Sequence, residues 1–294
     1  MISPLFSHLL IPFIIAIFLA ITMGGSGTAP AFSAAYGANV IRKSLIPGLF
    51  GIMVFLGAII AGKGTATTMG KGLLAPEMMS FTVVSIILFS VAISLLIANL
   101  SGIPQSTSQS TVLSVSAVAL YFNDLNTDKL FLEIIPTWFI LPIISFFISL
   151  FFGKYVYRPM RRRGLTMQRA QNENMKPVWN GLLVVMSLYV AFSIGANNVA
   201  NAAGPIAAMT ANELNISGNE NFILIMILST LIIAPSFGIG SSIFGHKIVK
   251  NTGKEIVLFG KFEAVIIAFV SASLLLLASL TKGCLLYTSD AADE

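Results

Sequence analysis

Two long apolar runs in this chain are interrupted by glycines and small polar residues. The first interruption is Gly24-Gly25-Ser26-Gly27-Thr28-Ala29-Pro30 and the second is Gly195-Ala196-Asn197-Asn198-Val199-Ala200-Asn201. Lipid offers no water to pair exposed peptide groups, so irregular backbone at membrane depth is confined to places buried in protein or lining a cavity. Two interruptions in corresponding positions of two halves predict discontinuous helices that meet at a site near the bilayer midplane. The expected fold class is therefore all-α: a polytopic membrane protein with inverted-topology repeats and broken or re-entrant helices.

Composition agrees with this and argues against a soluble enzyme. Of 294 residues, 56% are hydrophobic and 10% are charged, against about 25% charged in soluble domains; mean hydropathy is +0.89. Spans are expected near residues 6–23, 45–62, 79–99, 107–122, 130–152, 178–195, 222–240 and 256–280, each set against the roughly 20 residues a spanning helix needs. Residues 25–40 and 196–210 are expected to continue the two interrupted helices.

The net charge of +5 would suggest a nucleic-acid partner in a soluble protein. Here seven of the 17 basic residues (Lys154, Arg158, Arg161, Arg162, Arg163, Arg169 and Lys176) sit together between apolar runs. That is the bias of a cytoplasmic loop, and no nucleic-acid partner is expected. Arg42, Lys43, His246, Lys247, Lys250 and Lys254 would share that side, whereas Asp124, Asp128, Glu213 and Glu220 would face outward. The first half then starts outside and the second inside. Lys63 and Lys71 run against the pattern. The expected organisation is a first transmembrane repeat over 1–152, a basic cytoplasmic connector over 153–177 and a second repeat over 178–283.

The last 11 residues, Cys284-Leu-Leu-Tyr-Thr-Ser-Asp-Ala-Ala-Asp-Glu294, depart from everything before them. They resemble the translation of a transposon-type sequencing adapter and are expected to be a non-native tail. The chain's one cysteine lies in that tail, so neither a disulfide nor a cysteine metal site is expected.

Three stretches carry candidate chemistry. In Asn99-Leu-Ser-Gly-Ile-Pro-Gln-Ser-Thr-Ser-Gln-Ser-Thr111, Gly102 and Pro104 stop a helix and hydroxyls follow into an apolar run, the pattern of a helix start. Ser106, Thr107 and Ser108 would place neutral donors at a positive helix end, which suits an anion; ordinary capping and helix packing are the alternative. Asn197, Asn198 and Asn201 are amides at membrane depth that need partners, either across a helix interface or from a substrate or ion. Glu263 lies in the last span, where ionisable residues mark coupling or gating, unless it snorkels to the interface. Gly25 and Gly27 would offer backbone amides beside Ser26. No nucleophile–base set, phosphate loop, paired aspartates or metal-ligand spacing is present in the sequence, so catalytic residues, metals and cofactors are not expected.

Gly195-Ala-Asn-Asn-Val-Ala-Asn201 resembles the GANDVAN signature of the inorganic phosphate transporter (PiT) family, and Ile103-Pro-Gln-Ser-Thr-Ser108 resembles its Pro-x-Ser-Thr-Thr/Ser motif. Phe262-Glu263 is similar to a glutamate that the family places in its second half. The resemblance spans residues 10–283 and implies inverted repeats, each with both motifs; a second Pro-x-Ser-Thr element would follow Ser279-Leu-Thr-Lys-Gly283. Phosphate members carry Asn-Asp in both signatures. Here the equivalents are Asn197-Asn198 and Gly25-Ser26, and both aspartates are gone. The Gly24–Gly27 pattern with Ala35-Tyr36-Gly37 is more similar to the sulfate permease branch.

The resemblance implies a secondary active transporter that imports an inorganic oxyanion through the cell membrane, sulfate before phosphate. Phosphate at neutral pH keeps a proton to donate to a carboxylate; sulfate has none, and neutral Ser and Asn both donate and accept. With carboxylates scarce, H+ is expected as the coupling ion ahead of Na+. The expected partners are the anion and the lipid bilayer, with a homodimer as the candidate assembly. A non-transporting oxyanion sensor, a channel and a membrane enzyme are the rival classes.

Overall fold

The computed structural model of the chain describes residues 4–101, 105–159, 176–216, 218–245, 249 and 261–290. Among these the regular structure is helical, and 7 stretches are long and apolar enough to cross a membrane: Leu9–Gly37, Lys43–Ala61, Phe81–Ser101, Lys129–Tyr157, Pro177–Glu213, Asn221–Gly245 and Glu263–Leu280. The protein is a multi-pass membrane protein.

Helix α1 (Pro4–Gly37) passes through the first interruption as one helix of 34 residues. The break expected at Gly24–Pro30 does not form, and three side chains show why polar residues can stay helical there. Thr22, Ser26 and Thr28 donate back to the carbonyls of Leu19, Met23 and Gly24 at 2.7, 3.1 and 2.6 Å. Each hydroxyl is thus satisfied within its own helix. Pro30 removes one helical donor, the one that would reach the Ser26 carbonyl.

The chain continues through α2 (Ile46–Ala61), α3 (Lys63–Thr67) and a π turn (Thr68–Gly72) to α4 (Phe81–Ser101) and α5 (Thr107–Tyr121). The span expected at 107–122 is corrected by α5. Its 15 residues give about 22 Å of helix, short of a bilayer. Gly102, Ile103 and Pro104 lie outside the described residues. A π turn (Lys129–Ile134) leads into α6 (Ile135–Phe152). The connector's residues 160–175 lie outside the described set. The second half holds α7 (Lys176–Asn198), α8 (Ala200–Glu213), α9 (Asn219–Ile233), α10 (Pro235–Gly240) and α11 (Lys261–Asp290).

Side-chain contacts define the two ends of the bundle. At one end, Asp124 accepts from the Ala75 amide (3.0 Å), Glu213 from the Phe81 amide (3.4 Å), and Asn212 donates to the Glu77 carbonyl (3.1 Å). At the other, Lys43 and Ser44 stand with Ser241, Ser242 and Val249 around one cavity. Helix α1 ends near Lys43 and α8 ends at Glu213, so α1 and the α7–α8 pair run antiparallel. Both helices, and α5, stop on the same device: Asn39, Asn123 and Asn215 adopt φ of 54, 56 and 51°. Each is followed by an amide reaching five residues back, Val40 to Ala35, Asp124 to Ala119 and Ile216 to Ala211, all at 2.9 Å. These are Schellman closures with Asn in the left-handed position.

Paired glycines set the helix crossings. A Cβ on Gly24 would strike the Phe237 backbone, and one on Gly240 the Ile21 backbone. The same reciprocity joins Gly57 to Phe192 and Gly195 to Val54, and Gly51 to Gly238. Gly70 and Gly204 form a fourth pair, each against the other's backbone. Lipid supplies no hydrophobic drive between helices, so such close backbone approach is the main source of association. Around this core, α6 turns Phe139, Phe146, Phe147 and Phe151 outward.

Lys71 sits beyond the spans, with Nζ 3.9 Å from the Phe222 ring centroid. Burial lowers its pKa from 10.5.

Two predictions follow from this packing. Gly195→Val should destabilise the protein by about 1–3 kcal/mol through forced overlap with Val54, read as a lower midpoint in detergent. Gly48→Ala, at a position where a Cβ meets nothing within 4 Å, should leave the midpoint unchanged. For Lys71, the unfolded chain holds its proton up to 10.5 while the folded one loses it earlier, so stability should rise with pH in that window. A Lys71→Met variant should lack that rise, so its midpoint difference from the parent should shrink as pH approaches 10.5.

Candidate functional site

Helix α5 begins inside the bundle, and its first turn faces α7 and α8. Ser106 has the extended backbone of an N-cap (φ −75, ψ 116), and its hydroxyl accepts from the Gln109 amide at 3.4 Å. This satisfies one of the orphan amides of the first turn. Gln105 anchors the approach by donating to Ser94 and Ser110 at 2.7 and 2.8 Å. Thr107 is buried, and its carbonyl accepts from Thr111 at 3.0 Å.

Ser108 forms side-chain bonds from the first half to the second. Its hydroxyl donates to Asn197 Oδ1 at 2.9 Å and accepts from Asn201 Nδ2 at 3.1 Å. Asn197 Nδ2 in turn donates to Ser279 Oγ on α11 at 3.4 Å, and Ser279 donates to the Leu275 carbonyl at 3.0 Å. Every bond in this chain is between neutral groups. The helix pair α7–α8 pauses at Val199, whose backbone stays right-handed helical (φ −60, ψ −33). The second interruption is thus a pause in a helical rod rather than an unwound segment. Pro205, inside α8, removes the amide that would bond the Asn201 carbonyl. Asn201 is fully buried, and its Oδ1 has no partner among the described residues. Asn198 is half-buried beside the pause.

The first half contributes differently from expectation. Because α1 is continuous, the amides of Gly25 and Gly27 are spent on their own helix and are not free for an anion, which corrects that part of the reading. Their missing side chains serve packing: a Cβ on Gly25 would meet Phe244 at 2.6 Å, and one on Gly27 would meet Phe50 at 3.2 Å and Ile194 at 3.4 Å. Ser26 is half-buried and bonded to Met23. Glu263 lies in the first turn of α11, half-buried, where the helix dipole favours a negative charge. It is 16 residues from Ser279, or about 24 Å of helix, and so lies apart from the cluster.

Three bonding groups were missed in the sequence. Ser279 looks like any serine in an apolar helix. Asn99 Nδ2 donates to the Thr22 carbonyl at 2.8 Å, tying α4 to α1. Tyr189 and Ser273 pair at 3.2 Å between α7 and α11. The available signal was the depth of each polar residue within its span.

This architecture is a membrane bundle with an uncharged polar cluster at its interior. Comparison with known proteins gives its family. Residues 23–284 match the model of the phosphate transporter family, and the chain belongs to that family. Sulfate permease CysP of Bacillus subtilis (strain 168) is 31% identical over 267 residues, covering 90% of this chain and 69% of the relative. A protein of Pyrococcus horikoshii named "Putative phosphate permease" is 24% identical over 347 residues, covering 94% and 84%. A solved structure described as the sodium-dependent phosphate transporter superposes with a TM-score of 0.76 at 23% identity, covering 94% of this chain and 85% of that one. That likeness shows the fold.

Ser108→Ala removes both an acceptor for Asn201 and a donor for Asn197. Leaving these buried amides short of partners should lower stability by about 1–3 kcal/mol. Ser106→Ala should have a smaller effect of about 1 kcal/mol, the worth of a cap. Thermal unfolding of the purified variants in detergent reads both.

Proposed function

We propose that the protein is a secondary active transporter importing an inorganic oxyanion, with sulfate the preferred substrate and phosphate the second. The observation that carries this is the cluster of Ser108, Asn197, Asn201 and Ser279, which bonds through hydroxyls and amides alone. Each amide has a second N–H beyond the one used, and the first turn of α5 adds backbone donors at the positive end of its dipole. Sulfate brings two charges and no proton, so a site of neutral donors suits it, and a carboxylate would repel it. The resemblance to a sulfate permease supports the same choice. Ser26, Thr107 and Asn198 complete the proposed lining. The two halves act as inverted repeats joined by the basic connector, and one moves against the other to alternate access.

For coupling, scarcity of carboxylates supports H+. One observation favours Na+ as the second reading: Asn201 presents an unpartnered side-chain oxygen and a carbonyl deprived of its helical donor by Pro205. Two such oxygens suit a hard cation. Sulfate uptake driven by an imposed pH gradient, with no gain from a sodium gradient, decides for H+; the reverse decides for Na+.

Uptake of radiolabelled sulfate into proteoliposomes carrying the gene product tests the function. The expected result is saturable uptake that excess phosphate leaves in place; suppression by phosphate, with phosphate itself transported, would return the reading to a phosphate transporter. Binding without flux would favour a sensor. Asn198→Asp should weaken sulfate uptake by at least about tenfold, since a unit charge placed near a dianion costs several kcal/mol at an effective dielectric of about 20.

A further inference from the structure

A second polar site lies away from the central cluster. Between the last turns of α1 and the π turn Ser241–Gly245 is a cavity of about 610 Å³. Its polar wall consists of Thr28, Tyr36, Lys43, Ser44, Ser241 and Ser242. Among the described lining residues this is five hydroxyls and one ammonium, with no carboxylate. Ser241 is 1% exposed, and its hydroxyl has no partner among the described residues. A buried hydroxyl left unpaired costs about 1–3 kcal/mol, a penalty that a bound acceptor would remove. Thr28 already donates to Gly24 and packs against Gly245, so it forms the floor of the cavity.

We propose that this cavity is a second binding site for an oxyanion, held by Lys43, Ser241, Ser242 and Tyr36 at the end of the bundle that carries Arg42. The ligand class is a sulfate or phosphate group. It can come from the free inorganic ion leaving the transport path or from a phospholipid headgroup, since Ile46, Pro47 and Val249 give the cavity an apolar side. The oxyanion reading guides the choice of probe, but the site does not depend on the central cluster.

Equilibrium binding of radiolabelled sulfate to the purified chain in detergent tests it. The expected result is two sulfates per chain. A variant combining Ser108→Ala with Asn197→Ala should keep one of them. Adding Lys43→Gln should weaken that remaining ion by at least about tenfold, and Lys43→Arg should restore it; a hydrogen bond to a charged group is worth that much. Ser241→Ala should also weaken it while leaving the unfolding midpoint equal or higher, because an unpaired hydroxyl has been removed. That combination separates binding from misfolding. Displacement of the Lys43-dependent sulfate by soluble dihexanoyl phosphatidylglycerol assigns the site to a lipid headgroup, and failure to displace assigns it to the free ion. Sulfate binding that is unaffected by both Lys43→Gln and Ser241→Ala overturns the proposal. Central-site variants that leave both ions bound would instead count against the central cluster and leave the cavity site standing.

Discussion

Close backbone approach at paired glycines is the constraint on which the rest of the structure depends. Where Gly57 and Gly195 cross, α2 and α7 approach until each glycine lies against the other helix's peptide groups. The same holds for α1 against α10 at Gly24 and Gly240, and for the Thr68–Gly72 turn against α8 at Gly70 and Gly204. Gly195 and Gly204 flank Asn197 and Asn201. Their crossings therefore fix the two amides in depth and rotation, and the first turn of α5 only has to be delivered beside them. Side-chain bulk at these crossings would push α7 and α8 outward by more than a hydrogen bond can follow.

The electrostatics of the cluster follow from that placement. Among lipid and protein, an unpaired amide or hydroxyl costs several kcal/mol, so the polar groups bond one another. They do so without a formal charge. A dianion entering such a site meets dipoles that can turn toward it, while a carboxylate at Asn197 or Asn198 would oppose it throughout. In the proposed function, preference for sulfate over phosphate rests on what is absent as much as on the donors present. The bonds at 2.9 to 3.4 Å among Ser108, Asn197, Asn201 and Ser279 hold these groups in position.

Much of the helical fold was legible in the sequence, because apolar length is a direct consequence of the bilayer. The structure places Ser108 of the Ser106–Ser108 stretch against Asn197 and Asn201 of the second interruption, since amides and hydroxyls at membrane depth need partners. The first interruption misled. Gly24–Pro30 looks like a break, yet serine and threonine hydroxyls fold back on their own helix and the glycines accept neighbouring helices, so α1 stays whole. Glycine alone does not distinguish an unwound segment from a packed one. The 107–122 stretch read as a span because its residues are apolar, and hydropathy cannot see that α5 begins inside the bundle beside Asn197 and Asn201. Ser279 escaped notice because one serine in an apolar helix has no pattern. The three Asn stops were present in the sequence as Asn39, Asn123 and Asn215, but a single Asn reads as a loop residue until its backbone angle is known.

The central claim is that a carboxylate-free cluster joining the two halves receives a tetrahedral dianion. Selenate has the charge and shape of sulfate and scatters anomalously, so diffraction from crystals soaked in selenate, with arsenate at equal concentration as the comparison, tests the claim most directly. The account predicts a selenium peak within hydrogen-bonding reach of Ser108 Oγ and the Asn197 and Asn201 amides, and no arsenic peak there. An arsenic peak of equal strength at that position, or selenium confined to other parts of the protein, would contradict it.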